Sequence, residues 1–138
     1  MLHEVTTAIS APADRVWAIL SDVEGWPTWT ASVTSVELDG PMAAGSKAKI
    51  RQPKLPLVTW TITEVVPGRS FTWESAGPGS RATGWHEVTP TGDGTCDVRL
   101  ALEQAGPVGS LVGLVYRGLT KRYVQMEADG LTAAATTH

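Results

Sequence analysis

His86, Glu64 and Cys96 are the residues whose types and placement could support chemistry. Of the three histidines, His3 stands near the start and His138 at the end, so His86 is the one inside the folded body. Counted back from Val88, it shares an inward parity with Gly84 and Ala82. An imidazole there could orient a ligand or act as a general acid or base near neutral pH. The competing readings are a hydrogen-bonded structural histidine and a one-residue bulge that turns the ring to solvent. Glu64 has the parity of Trp60 and Ile62, so it is a candidate cavity acid whose pKa burial would raise. Alternatively it is a rim residue, or it pairs with Arg69 across Pro67-Gly68 in an exposed bridge worth little. Cys96 is the only cysteine; it has the apolar parity of its strand and no neighbouring base, so it reads as a small buried hydrophobe. No histidines, cysteines or paired carboxylates stand at metal-ligand spacing, and there is no phosphate-binding glycine loop. No metal or cofactor is expected.

Six tryptophans accompany one phenylalanine and two tyrosines. Trp60, Phe71 and Trp73 fall on one strand face, where they would either wall a pocket for a flat apolar ligand or fill the core. Trp26 and Trp29 flank Pro27 and read first as structural anchors at one end of the molecule. Trp85 has the parity opposite to Val88 and belongs to the outer face or an edge. Arg122 and Tyr123 lie toward the inner side of the last helix and could offer polar contacts, although Arg122 could equally reach water over a packed stem.

The elements that must position these residues follow from periodicity. Leu2 to Ser10 alternates as a strand. Ser10-Ala11-Pro12-Ala13-Asp14 is a helix start, with Ser10 as cap and Asp14 at the positive end. A second short helix restarts at Ser21 or Asp22 and breaks at Gly25-Trp26-Pro27. From about Ser32 to Glu103 the period is two, with turns at Asp39-Gly40-Pro41, Pro67-Gly68, Gly77-Pro78-Gly79 and Thr91-Gly92-Asp93-Gly94, so the strands pair as antiparallel hairpins. Beyond Gly106-Pro107 the period becomes helical, with Val108, Leu111, Val112, Val115, Leu119, Arg122, Tyr123 and Met126 on one stripe. Gly106, Gly109 and Gly113 suggest a mobile first turn that gates the interior.

The fold class is therefore α+β: a helix-grip in which a curved seven-stranded antiparallel sheet wraps a long C-terminal helix, with two short helices after strand 1. A twisted sheet of that width cannot close flat on one helix about 10–12 Å across. The gap is filled by large side chains or left as a cavity. The 138 residues suit one domain, 1–138, with a frayed tail from about 132. With 42% hydrophobic and 18% charged residues the chain can build a core, and a net charge of −3 with dispersed basic residues argues against nucleic acid as partner. The N-terminus reads as a strand rather than a signal peptide and no apolar run would span a bilayer, so a cytoplasmic protein without membrane insertion is expected. An edge strand leaves room for a homodimer.

Two sets of residues carry a family resemblance. Asp14-Arg15-Val16-Trp17, Leu20-Ser21-Asp22 and Trp26-Pro27-Thr28-Trp29 resemble the opening of the START-like, Bet v 1-like (SRPBCC) superfamily, and most closely its bacterial polyketide cyclase/dehydrase-type branch. The run Trp60 to Trp73 and the turn Gly92-Asp93-Gly94-Thr95 are similar to that branch's later hairpins. The resemblance implies the helix-grip fold and a central apolar cavity, and brings no catalytic residue with it. The first expectation is thus binding or carriage of a small hydrophobic or aromatic molecule. Its contacts would be Trp60, Ile62, Phe71, Trp73, Val98, Leu100, Leu111, Val115, Leu119 and Tyr123, with His86 and Arg122 as polar handles. The alternatives are a polyketide cyclase or aromatase-type enzyme moving protons with His86 and Glu64, and an interaction or stress-response domain whose pocket is filled.

Overall fold

The computed structural model describes residues 1–136. Strand β1 (Leu2–Ile9) leads into helix α1 (Ala13–Ser21) and a 3-10 helix (Val23–Thr28). Six strands follow: β2 (Ser35–Leu38), β3 (Lys47–Arg51), β4 (Val58–Val66), β5 (Ser70–Gly77), β6 (Ser80–Gly92) and β7 (Thr95–Ala105). Helices α2 (Pro107–Val115) and α3 (Arg117–Thr136) complete the chain. The strands form one antiparallel sheet in the order β1-β7-β6-β5-β4-β3-β2. Consecutive hairpins build it from β2 to β7, and β1 adds the far edge beside β7. This is the α+β helix-grip architecture, with α3 crossing the concave face.

Alternation explains the inner face. Ala48, Ile50, Phe71, Trp73, Val88, Cys96, Val98 and Leu100 are all buried, while Lys47, Lys49 and Arg51 between them are exposed. Leu131, Ala128 and Ala135 of α3 pack into the same core as Val16 and Leu20 of α1. On the outer face Arg99 pairs with Glu4 at 2.5 Å and Glu87 at 3.2 Å. It also lies 6.0 Å from the centroid of Trp85, which accordingly takes the outer side.

The structure departs from the sequence expectations in four places. Ser10 does not cap α1; the position before the helix is Pro12, whose carbonyl accepts from the Val16 amide at 3.1 Å. The second short helix does not break at Gly25-Trp26-Pro27, because the tighter 3-10 winding continues through Thr28. The C-terminal helix is two helices separated at Tyr116. It also persists beyond the point of expected fraying: α3 reaches Thr136, since Leu131 and Ala135 are buried and anchor its last turns. The remainder of that tail, 137–138, lies outside the described residues.

Candidate functional site

A cavity of about 520 Å³ lies between the concave sheet and the two C-terminal helices. Trp60, Trp73, Gly84, His86 and Leu100 line its sheet side; Val112, Tyr116, Thr120, Tyr123, Val124 and Glu127 line its helical side. Trp26 and Val33 close the end under the 3-10 helix, and the exposed residues Pro56, Gly77, Arg81 and Tyr116 mark the mouth. The aromatic wall is held in one arrangement by its own contacts. Trp60 stacks on Trp73 with centroids 5.7 Å apart. Trp26 sits 5.4 Å from Trp73 and donates its indole N–H to the Leu20 carbonyl at 2.9 Å. Gly84 is required opposite Trp73: a Cβ there would approach the indole Nε1 to 2.7 Å.

His86 faces inward, 6% exposed, and lines this cavity. Its ring stacks on Phe71 at 4.0 Å and meets Trp73 edge-on at 4.9 Å. Nδ1 lies 3.1 Å from the Phe71 carbonyl oxygen. A carbonyl only accepts, so Nδ1 carries the proton and Nε2 keeps its lone pair. Burial pushes the imidazole down from 6.5 to about 4, against a smaller upward pull from the Phe71 hydrogen bond. His86 is therefore a neutral acceptor at pH 7.

The acid in the cavity is Glu127, not Glu64. Glu127 stands on α3 one turn beyond Tyr123 and Val124. Ser32 Oγ, itself 2.7 Å from Thr30 Oγ1, donates to its Oε2 at 3.3 Å. Burial raises its carboxyl from 4.5 to about 7, with the Ser32 hydrogen bond acting in the opposite direction. The signal was helical spacing: Glu127 stands four residues after Tyr123 and three after Val124, on the face that α3 buries. Glu64 is exposed because a β-bulge between Ile62 and Glu64 resets the register, so that Glu64 pairs with Thr72 and Val65 with Phe71. No ion pair joins it to Arg69 among the described residues.

The other expected contact residues divide. Trp60, Trp73, His86, Leu100 and Tyr123 line the cavity. Ile62, Phe71 and Val98 are buried behind it, at 1%, 0% and 0% exposure, and support the wall without lining it. Leu111 and Val115 are 61% and 69% exposed, Arg122 is exposed, and half-buried Leu119 does not reach the cavity. The cause is α2, which packs by its small residues. A Cβ on Gly109 would meet Ser80 at 3.4 Å, and one on Gly113 would meet Gln104 Oε1 at 2.7 Å. The glycine face is seated on β6 and β7, which turns Leu111 and Val115 outward and leaves Val112 over the opening. Tyr123 spends its hydroxyl proton on the Pro53 carbonyl, tying α3 to the β3–β4 loop. Cys96 is buried, and its thiol pKa is raised by burial and by Asp97. No group of three or more potential metal ligands occurs among the described residues, and none of their helices is long and apolar enough to cross a membrane.

A family model described as polyketide cyclase/dehydrase and lipid transport matches residues 3–136. No curated protein matches the sequence. Among solved structures, the chain is similar to TTHA0849 from Thermus thermophilus, with a TM-score of 0.76, 22% identity, and coverage of 99% of this chain and 100% of that one. It is similar to the hypothetical protein jhp0584 from Helicobacter pylori (TM-score 0.79, 11% identity, 98% and 88% coverage). It is also similar to norcoclaurine synthase from Thalictrum flavum in complex with dopamine and hydroxybenzaldehyde (TM-score 0.73, 15% identity, 97% and 85% coverage). At these identities the likeness is one of fold.

Proposed function

The chain belongs to the polyketide cyclase/dehydrase and lipid transport family, and from that premise we propose that it binds or carries a small hydrophobic or aromatic molecule in the space between sheet and helices. The observation that carries this reading is the cavity of about 520 Å³ walled by Trp60, Trp73 and Trp26. That volume suits a small organic ligand, and an apolar lining with a few convergent polar groups is the usual composition of such sites. A like fold holding two aromatic compounds, at 15% identity, is consistent with it. A cavity this size argues against a pocket filled by its own tryptophans. Native mass spectrometry of freshly purified protein, followed by extraction, tests the reading: a co-purified apolar compound is expected. A clean apo mass together with no thermal shift from a screen of aromatic and lipid compounds would overturn it.

A cyclase or aromatase-type activity has narrower support, namely that His86 and Glu127 line one cavity and could accept and donate protons there. Loss of turnover in His86→Ala with retained ligand binding is the expected signature of that chemistry. For the setting, the cytoplasm is our reading, and a homodimer would form through edge strand β1 or β2; light scattering at two concentrations decides the latter.

A further inference from the structure

The groups that line the cavity are unbalanced in charge and hydrogen-bonding sense. Glu127 is the one carboxyl among them, and none of the described residues' ion pairs, Arg81–Glu74, Arg99–Glu4 and Arg99–Glu87, reaches it. Arg81, the one guanidinium at the lining, is exposed and lies 3.4 Å from Glu74. His86 adds the acceptor Nε2. Around these acceptors stand indole and phenol rings, whose faces are electrostatically negative.

An anionic guest would find no free cation inside and would face Glu127. A neutral alcohol could satisfy an acceptor but would leave the carboxyl without a counter-ion. A protonated amine supplies several N–H donors, a charge for Glu127, and a cation for the aromatic faces. Resting on the ligand-binding reading above, we infer that the cavity selects a small aromatic or apolar amine, with Glu127 as its counter-ion and Ser32 and Thr30 holding that carboxyl in place. Its charge would keep Glu127 ionised where burial otherwise favours the neutral acid.

Titration by tryptophan fluorescence with three probes that share a phenylethyl frame tests this: 2-phenylethylamine, 2-phenylethanol and 3-phenylpropionate at pH 8. The amine is expected to bind about ten-fold tighter than the acid, and Glu127→Gln to remove about ten-fold of amine affinity while leaving the alcohol within about two-fold. Wild-type protein offers a second readout that needs no variant. Between pH 8 and 5.5 the amine should weaken about ten-fold as Glu127 protonates and the alcohol should not. Ser32 and Thr30 do not titrate, and His86 stays neutral over that range. Equal binding of all three probes, or tighter binding of the acid, overturns the inference while the cavity reading stands. An amine preference unchanged in Glu127→Gln and between the two pH values also overturns it. Failure of every probe to bind at millimolar concentration would remove both.

Discussion

Glu127 and His86 pull the stability of the fold in opposite directions as pH changes. His86 falls from 6.5 to about 4 on folding, so the unfolded chain binds its proton more readily; stability is full above 6.5 and is lost as pH drops toward 4. Glu127 rises from 4.5 to about 7, so the folded state holds its proton more tightly; that contribution is full below 4.5 and is lost as pH climbs to 7. Between 4.5 and 6.5 the two slopes oppose. Glu127→Gln, which mimics the neutral acid, should therefore stabilise the protein by about 1–3 kcal/mol at pH 8 and by almost nothing at pH 4. Urea midpoints of variant and wild type at pH 4, 6 and 8 check it; parallel profiles would contradict the burial of this carboxyl. The inward histidine was readable from strand parity because no bulge lies between Gly84 and Val88 in the pairing with β5 and β7. Glu64 was misplaced because a single extra residue in β4 inverts the parity beyond it, and parity counting assumes none.

At the level of elements, the hairpins were legible because the strands alternate and every turn but the β3–β4 connection, where Pro53 and Pro56 stand instead, carries a glycine. The face of α2 was not. Its large apolar residues promised a buried stripe, but the face that sits on β6 and β7 is the one carrying Gly109 and Gly113. Backbone proximity took precedence over side-chain hydrophobicity. Leu111→Ser should thus change stability by less than about 0.5 kcal/mol, whereas Leu131→Ala in α3 should cost about 2–5 kcal/mol. Thermal or chemical denaturation separates the two, and a large loss in the first would restore the stripe reading. A sharper contact secures α3 against the 3-10 segment: a Cβ on Gly130 would overlap the Trp29 carbonyl oxygen and press on its ring. Gly130→Ala should cost about 1–3 kcal/mol despite its better helix propensity, because the helix must lift from Trp29 to admit it. A stabilised Gly130→Ala variant would show that α3 does not seat there.

Across the whole molecule, the sheet is completed by partners far apart in the chain: Leu2 pairs with Glu103 and Ile9 with Cys96. Such pairings must wait for the intervening chain to be organised, so refolding monitored by tryptophan fluorescence should take milliseconds to seconds; microsecond refolding would indicate that the β1–β7 seam forms outside the rate-limiting step. The architecture could be foreseen because seven alternating segments and one C-terminal helical run leave few ways to hide the apolar faces. The size and contents of the interior could not, since they depend on which rings lean inward and how far. One position illustrates how finely that is balanced. Gly84 gives Trp73 the room it occupies, with 2.7 Å between the indole nitrogen and the place where a methyl would begin. An alanine at 84 displaces the indole, and a smaller residue at 73 vacates the site while the main chain stays as it is. Two codons on neighbouring strands therefore set the room available to a guest. A lineage carrying this scaffold can drift between tighter and roomier interiors by single exchanges, without rebuilding the backbone that surrounds them.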